Sequence, residues 1–469
     1  MMTTTTTYLE ALRARVSAEL DARMPGYLER LQWPADRLAA HQRDRLRALL
    51  RHAIERSPFH ARRLGTIGDP DRFELTDLAA LPTMSKTDMM AAFDEVVTDR
   101  RLTLASVERH IAGSSSLPTL LFDEYVCLAS GGSSGLRGIF VQRLAEFADL
   151  AASIMRPSIA RLIAAGSSGD GLVIGAVMAA SPVHASGFGI ATMSGPVRFV
   201  SVSATLPIAD AVDRLNRLQP LALMGYPTKL AQLAREQMLG RLAIAPRSVT
   251  STSEQLTAGT RMTLTAAFGV PVIDMFASTE GLVGHGDPGG SVLTFATDMC
   301  VVELVDAQNR PLADGAASTK VLVTNLSNLT QPLIRYELTD RFVRYPSLPG
   351  SGQLRAEVEG RADDVFRYRD VEVHPLVIAT PMVKTPRVLE YQVRQTDRGV
   401  EVAVVTDGPI EMVRLAEAIE DGLRGAGLVN PLAIVREVGS IPRHPQTAKT
   451  RRFIPLEARQ RTSTAPTAR

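Results

Sequence analysis

Leu128-Ala-Ser-Gly-Gly-Ser-Ser-Gly-Leu-Arg-Gly138 opens on the last residue of a short apolar run, Tyr125 to Leu128, in which a strand is expected. Glycines let the backbone turn with positive φ and approach a ligand closely. Exposed N–H groups and serine hydroxyls offer donors to an anion. No Gly-Lys-Ser/Thr closes the loop, so it is not a Walker loop. A glycine–serine run by itself also suits a flexible linker, and its meaning depends on the rest of the chain.

From about residue 125 to 345, short apolar strands alternate with helical segments, which argues for α/β layers. Tyr226-Pro-Thr-Lys-Leu230 is one helix start, with Pro227 suited to the first turn and Gly240 to the stop. Earlier, Leu38, Leu46, Leu49, Leu50, Ala53 and Ile54 share one helical face that ends at Ser57-Pro58. After Gly360 the pattern restarts as a compact unit: a strand over Glu401 to Val405, a helix over Met412 to Arg424 closed by Gly425, and a strand over Leu432 to Val438. The expected architecture is α/β, with a large multi-layer N-terminal domain over 1–360 and a small α+β C-terminal domain over 361–469. Gly360-Arg-Ala-Asp-Asp364 is the expected hinge, and the Thr-rich start and the tail after Pro455 are expected to be disordered.

Composition narrows the function classes. With 469 residues, 45% hydrophobic and 22% charged, the chain can build ordinary globular cores. A net charge of +2 supplies no global basic field, so neither nucleic acid nor an anionic membrane is expected as a partner. Cys127 and Cys300 stand far apart without metal-ligand spacing, which fits a reducing cytoplasm. The start lacks the regions of a signal peptide, and the longest apolar run, around Gly171 to Ala180, is too short to span a bilayer. Lysines are only Lys86, Lys229, Lys320, Lys384 and Lys449 among 52 basic residues, so a retained Lys calls for a reason.

Five strings in chain order resemble the adenylate-forming superfamily of acyl- and aryl-CoA ligases, closest to its phenylacetate-CoA ligase-like branch. They are Ser130-Gly-Gly-Ser-Ser-Gly135, Asp274-Met-Phe-Ala-Ser-Thr-Glu280, Arg335-Tyr-Glu-Leu-Thr-Asp340, Gly360-Arg-Ala-Asp-Asp364 and Ile441-Pro-Arg-His-Pro-Gln-Thr-Ala-Lys449. Ser57-Pro-Phe59 and Leu81-Pro-Thr-Met-Ser-Lys86 also resemble that branch, and the likeness spans about residues 30 to 455.

The resemblance implies ATP and Mg²⁺ as cofactors and attack of a small, aromatic carboxylate on the α-phosphorus. CoA is implied as the acceptor. It assigns ATP binding to Ser130, Gly132, Ser133, Ser134 and Gly135 at the phosphates, Phe276 and the Ser253–Glu254 turn at adenine, Asp340 at the ribose, and Asp274, Ala277 and Thr279 of the same string, with Mg²⁺ on Glu280. Lys449, Glu280 and Arg361 are the implied catalytic groups, and Asp363 is the implied hinge. His184, Gly225, Tyr226 and Ala277 are the implied acid-binding residues. The chemistry fits these residue types. A strand-end carboxylate near phosphates is useful with a cation between them. A lone Asp accepts well from two vicinal hydroxyls, and a compact ammonium bridges carboxylate and phosphate.

Without the other strings, Glu280 and Asp340 would read as loop acids, Phe276 as a core ring, and His184 as a satisfied core histidine. Departures from the family pattern matter too. Gly131 and Arg137 replace a Ser and a Pro, Phe276 replaces a Tyr, and Thr294 stands where a His is usual, so no structural zinc is expected. Asp370 replaces a Gly on the implied acceptor tunnel, where a carboxylate would narrow the passage and repel CoA phosphates. An amine, a carrier-protein thiol or a nitrite-like nucleophile is therefore an alternative acceptor, and a non-catalytic nucleotide sensor is an alternative of another class. The oligomeric state stays open between monomer and homodimer.

Overall fold

A computed structural model describes residues 2–114, 117–129, 138–166, 169, 171–195, 197–204, 206, 208–338, 340–361, 366–369, 371–373, 377–378, 381–382, 385, 388–406, 408–443 and 452–456. The chain divides into two compact units, Met1–Glu359 and Gly360–Arg469. The first carries helices α1 (Met2–Arg30), α2 (Ala35–Arg56), α3 (Pro58–Leu64), α4 (Lys86–Ala91), α5 (Phe93–Val96), α6 (Leu104–Ala112), α7 (Leu144–Ala164), α8 (Ala185–Thr192), α9 (Ile208–Leu218), α10 (Pro227–Met238) and α11 (Ala258–Phe268). Its strands are β1 (Tyr125–Ala129), β2 (Ile139–Arg143), β3 (Val173–Met178), β4 (Arg198–Ser203), β5 (Ala222–Gly225), β6 (Ser248–Thr252) and β7 (Val272–Ala277). They continue with β8 (Val283–Gly286), β9 (Val292–Phe295), β10 (Cys300–Val305), β11 (Lys320–Asn325), β12 (Tyr336–Leu338), β13 (Asp340–Tyr345) and β14 (Arg355–Arg361).

Nine of these strands form one sheet in the order β13-β14-β9-β8-β7-β6-β5-β3-β4. Strands β4, β3, β5, β6 and β7 run parallel, and β8 and β9 return antiparallel beyond them. The chain leaves β3 for β4 on one side and comes back to β5 on the other. The order therefore reverses between β3 and β5, and open α/β sheets bind ligands at the carboxyl ends of such a switch.

Apolar residues cover both faces of the sheet. Leu215, Leu230, Leu233 and Leu264 from α9, α10 and α11 pack with Val177, Val249 and Val272. On the other face, Phe147 and Ala151 of α7 join Val283, Leu293 and Phe295. Helix α1 lies on α7 through buried Leu12, Val16, Leu20 and Tyr27. The Thr-rich start is a correction to the sequence expectation, because α1 begins at Met2 and Thr3 to Thr7 are helical. A helix anchored by packing gains one hydrogen bond per added residue, which outweighs the modest helix propensity of Thr.

Beneath α1, Arg156 and Asp298 form an ion pair at 2.6 and 2.8 Å, with side chains 1% and 0% exposed. Strands β10, β11 and β12 form a separate three-stranded sheet. Met84 pairs beside β12, its N–H reaching the Arg335 carbonyl at 3.0 Å and its carbonyl taking the Glu337 N–H at 2.9 Å. The Leu81–Lys86 string is thus hydrogen-bonded to the Arg335–Asp340 string.

The second unit has strands β15 (Phe366–Tyr368), β16 (Val371–Val373), β17 (Val388–Thr396), β18 (Gly399–Thr406), β19 (Leu432–Glu437) and β20 (Phe453–Ile454) and helix α12 (Met412–Gly425). A four-stranded sheet, β19-β18-β17-β20, carries α12 over Val393, Val400, Val402, Leu415, Ile419 and Leu423. The strand–helix–strand pattern read from the sequence is present here. The sequence reading lacked β17, whose outward Gln392 and Arg394 interrupt its apolar run. The tail expected to be disordered lies, from residue 457 on, outside the described residues. Among the described residues no helix is long and apolar enough to cross a membrane.

Candidate active site

Ser130, Gly132, Ser133, Ser134 and Gly135 lie outside the described residues, but the entry to their loop is defined. Ala129, the last residue of β1, donates its N–H to the Val183 carbonyl at 2.7 Å, and the His184 Nδ1 lies 3.1 Å from the Ala129 carbonyl oxygen. At the other end of β1, the Tyr125 hydroxyl donates to Asp99 at 2.7 Å. The strand that feeds the loop is tied at both ends. His184 is buried and stands just before α8, so it holds the loop base whatever else it touches.

Beyond the carboxyl ends of β3 and β5, Tyr226 ties the two strands together, its hydroxyl accepting the Ala179 N–H at 3.1 Å. Burial pushes this phenol up to about 12, and Ser186 also hydrogen-bonds it. Tyr226 precedes Pro227 at the first turn of α10, and Gly240 follows the helix at φ +74°, as the sequence reading has it. A Cβ on Gly225 would lie 2.5 Å from the Val177 carbonyl oxygen, so a side chain there would force β5 away from β3. Glu254 spends one carboxylate oxygen on the start of α10, accepting from the Thr228 N–H at 3.2 Å and its hydroxyl at 2.7 Å. Between β6 and Glu254, Ser253 sits at φ +69°, a strained conformation of the kind that clusters at ligand clamps.

Cross-strand register places Gly225, Ser251 and Asp274 side by side. Burial pushes the Asp274 carboxyl up to about 6, against the opposing charge of Arg261 3.9 Å away. A raised carboxyl favours the folded state while protonated. Its contribution is full below the ordinary Asp value, about 3.9, and is lost as pH rises through about 6. Asp274→Asn is expected to remove this slope, on the order of 3 kcal/mol, from denaturation midpoints followed between pH 4 and 7. An identical slope in the variant would assign the pH dependence elsewhere.

Phe276 is half-buried and makes edge contacts with Phe295 and Phe342, at centroid distances of 5.9 and 5.4 Å, so part of its ring serves the core. Ala277 and Thr279 are half-buried on the turn that leads to Glu280, itself 7% exposed. Asn325 holds this turn. Its Nδ2 donates to the Glu280 carbonyl at 2.8 Å, while its Oδ1 accepts from Ser327 and Asn328. The Cys300 thiol donates to the Gly281 carbonyl, and burial raises its pKa. Tyr336 packs close enough that burial and the negative charge of Glu280 raise its phenol.

Gly281 adopts φ +104°, and a Cβ there would lie 2.2 Å from Asn325 Nδ2. Gly281→Ala is expected to lower stability by about 1–3 kcal/mol and to displace Glu280. Thermal denaturation and nucleotide-binding calorimetry check it, and unchanged values in both would show that the turn tolerates a side chain.

Asp340 opens β13 and is 8% exposed, two residues before the Phe342 that touches Phe276. This links the Asp340 and Asp274–Glu280 strings. Arg335 instead serves the fold, through a two-pronged pair with Glu303 at 2.9 and 3.0 Å and hydrogen bonds to the Ala79 and Leu81 carbonyls. Arg361 ends β14. Asp363, Asp370 and Lys449 lie outside the described residues. Lys229, one of the five lysines, donates from a buried position to the Leu206 carbonyl at 2.8 Å. The sequence reading missed Asn325, Thr228 and Ser186. Only the polar residues Asn325, Ser327, Asn328, Thr330 and Gln331 hinted at a buried network.

No protein-family model matches the sequence. The phenylacetate-coenzyme A ligase of Thermus thermophilus is 25% identical over 375 residues, covering 77% of this chain and 78% of that protein. The phenylacetate-coenzyme A ligase of Escherichia coli K12 is 25% identical over 392 residues, covering 78% and 80%. A crystal structure of a 2-hydroxyisobutyryl-CoA ligase in complex with R3-HIB-AMP shares the fold, with a TM-score of 0.68 at 18% identity over 91% of both chains. Over three quarters of its length the chain is thus similar in sequence to phenylacetate-coenzyme A ligases, and it shares its α/β architecture with a 2-hydroxyisobutyryl-CoA ligase.

Proposed function

We propose that this protein is an ATP-dependent, AMP-forming ligase that adenylates a small aromatic carboxylic acid and transfers the acyl group to CoA. The observation that carries the proposal is one line of strand ends. Tyr226, just after β5, adjoins through the cross-strand neighbours Gly225, Ser251 and Asp274 the strand that leads into the Glu280 turn, while His184 holds the base of the loop after β1. The aromatic preference rests on relatives named phenylacetate-coenzyme A ligases.

In this reading a carboxylate oxygen of the acid bonds to the α-phosphorus as the bond to the bridging oxygen breaks and pyrophosphate leaves. The CoA thiol then attacks the acyl carbon, losing its proton, and AMP departs. Little covalent chemistry falls to the protein, which positions and neutralises charge. The loop after Ala129 receives phosphates, Asp340 accepts from the ribose hydroxyls, and Asp274 and Phe276 border the adenine. Lys449, carried by the 361–469 domain hinged at Asp363, meets the charge that develops at phosphorus.

Among the described residues no three His, Cys, Asp or Glu side chains group as a metal cage. The Glu280 carboxylate would hold Mg²⁺, which would neutralise phosphate charge there. Two buried free thiols, Cys127 and Cys300, accord with a reducing cytoplasm.

Asp340→Ala is expected to weaken ATP by about 1.5–3 kcal/mol, the value of hydrogen bonds to a charged group, without lowering the melting temperature. Calorimetry that finds equal affinity would make Asp340 a strand-start residue only. ATP–pyrophosphate exchange across aromatic and aliphatic acids tests the whole reading. No exchange with any acid, together with ATP binding, would leave the nucleotide-sensor alternative standing.

A second reading follows from Asp370, whose carboxylate occupies a position that is Gly in the family. It keeps adenylation and replaces CoA by an amine, a carrier-protein thiol or a nitrite-like nucleophile. Mass spectrometry for acyl-CoA alongside pyrophosphate release separates the two. Adenylate without thioester in the wild type, with thioester appearing in Asp370→Gly, supports the second.

A further inference from the structure

We infer that the open edge of the large sheet at β4 is a docking site for an acidic polypeptide segment that adds to the sheet in extended form, a role separate from adenylation. Strand β4 ends the strand order, and among the described residues only β3 pairs with it. The Arg198 N–H donates inward to the Leu172 carbonyl and the Ala204 N–H to the Met178 carbonyl. Backbone groups alternate along a strand, so those of Phe199 and Ser201 point outward. They have no hydrogen-bond partner among the described residues. Exposed edges of this kind accept a further strand.

The groove beside this edge, about 290 Å³, is lined by Val200, Ser201, Val202, Arg214, Arg217 and Leu218. Its chemistry selects the occupant. Arg214 and Arg217 project from α9, and Arg198 shares the Val200 and Val202 face of β4. All three are exposed, and none pairs with an acid among the described residues. Asp210 and Asp213 lie one helical turn away on α9 without forming an ion pair with either arginine. Apolar floor and cationic rim together fit an extended segment in which acidic and aliphatic side chains alternate.

Other occupants fit worse. A second copy pairing through β4 about a twofold axis would bring two sets of the three arginines together. The chain's own C-terminal residues 457–469 carry Arg459, Arg461 and Arg469 against one acid, Glu457, and would be repelled.

The probe is a fluorescein-labelled octapeptide alternating Glu and Val, read by fluorescence anisotropy against the full-length protein, with a Lys/Val octapeptide and a single-stranded oligonucleotide as controls. Saturable binding of the Glu/Val peptide alone is expected, weakening as salt rises. R214E/R217E should weaken it about tenfold, and S201P, which removes an outward N–H from an edge position where Pro is tolerated, about fivefold. Pyrophosphate exchange should not change in either variant. If S201P melts early, the charge-reversal pair decides. Equal binding of the Lys/Val peptide, competition by the oligonucleotide, or no loss in R214E/R217E overturns the proposal. So does a concentration-dependent dimer that S201P abolishes, since a second copy would then hold the edge.

Discussion

Lys449→Ala is expected to slow adenylate formation by about 10²–10³-fold while ATP binding stays near the wild-type level, because its charge matters most where charge develops in the transition state. The proposal singles out this residue among basic neighbours for two reasons. Lysine is scarce in this chain, with five against 47 arginines, so its retention between Arg443 and Arg451 points to a compact point charge rather than a generic cation. One neighbour is already engaged in the fold, since the Arg452 guanidinium lies 5.0 Å from the centre of the Tyr391 ring. Single-turnover pyrophosphate release separates binding from chemistry. A variant that forms adenylate at the parental rate would remove Lys449 from the mechanism and leave it as a surface cation.

Arg156→Met is expected to destabilise the larger unit by about 3–5 kcal/mol, since it strands a carboxylate in an apolar interior. Asp298 is 0% exposed at its side chain. Burial alone would raise its carboxyl, but the hydrogen bonds and charge of Arg156, with Arg30 3.4 Å away, hold it below the ordinary carboxylate range. A lowered carboxyl contributes stability above its unfolded value near 3.9, and that stability is lost as pH falls through the folded value. Asp298→Leu should also destabilise, leaving Arg156 without its partner. The double variant Arg156→Met/Asp298→Leu should recover much of the loss, because the cost lies in the unpaired charge. Denaturation midpoints of the four proteins close the cycle. Additive losses would show two independent packing defects instead of one coupled pair.

Local chemistry was legible in the sequence. A short apolar run marked β1, Pro227 and Gly240 bracketed α10, and the strand–helix–strand pattern after Gly360 marked the second unit, because each depends on neighbours a few residues apart. The strings carrying Glu280, Asp340 and Lys449 were visible as short motifs, through their resemblance to a family's motifs in the same chain order. The chain's first residues were misread on local composition. Thr-rich sequence favours no helix by itself, and only the docking of α1 on α7 makes one.

What holds the candidate site comes from contacts that no local pattern announces. Asn325 reaches the Glu280 carbonyl across 45 residues, Met84 pairs with Arg335 and Glu337, and His184 fixes the end of β1. Sheet order also lay beyond reach, because a strand's apolar pattern says which faces are buried and not which neighbour it pairs with. The reversal between β3 and β5 and the edge position of β4 both follow from that order. Most elements, and the chemical groups they carry, can thus be read along the chain. Which of those groups meet depends on long-range pairing and packing, whose energy exists only once the chain has closed on itself.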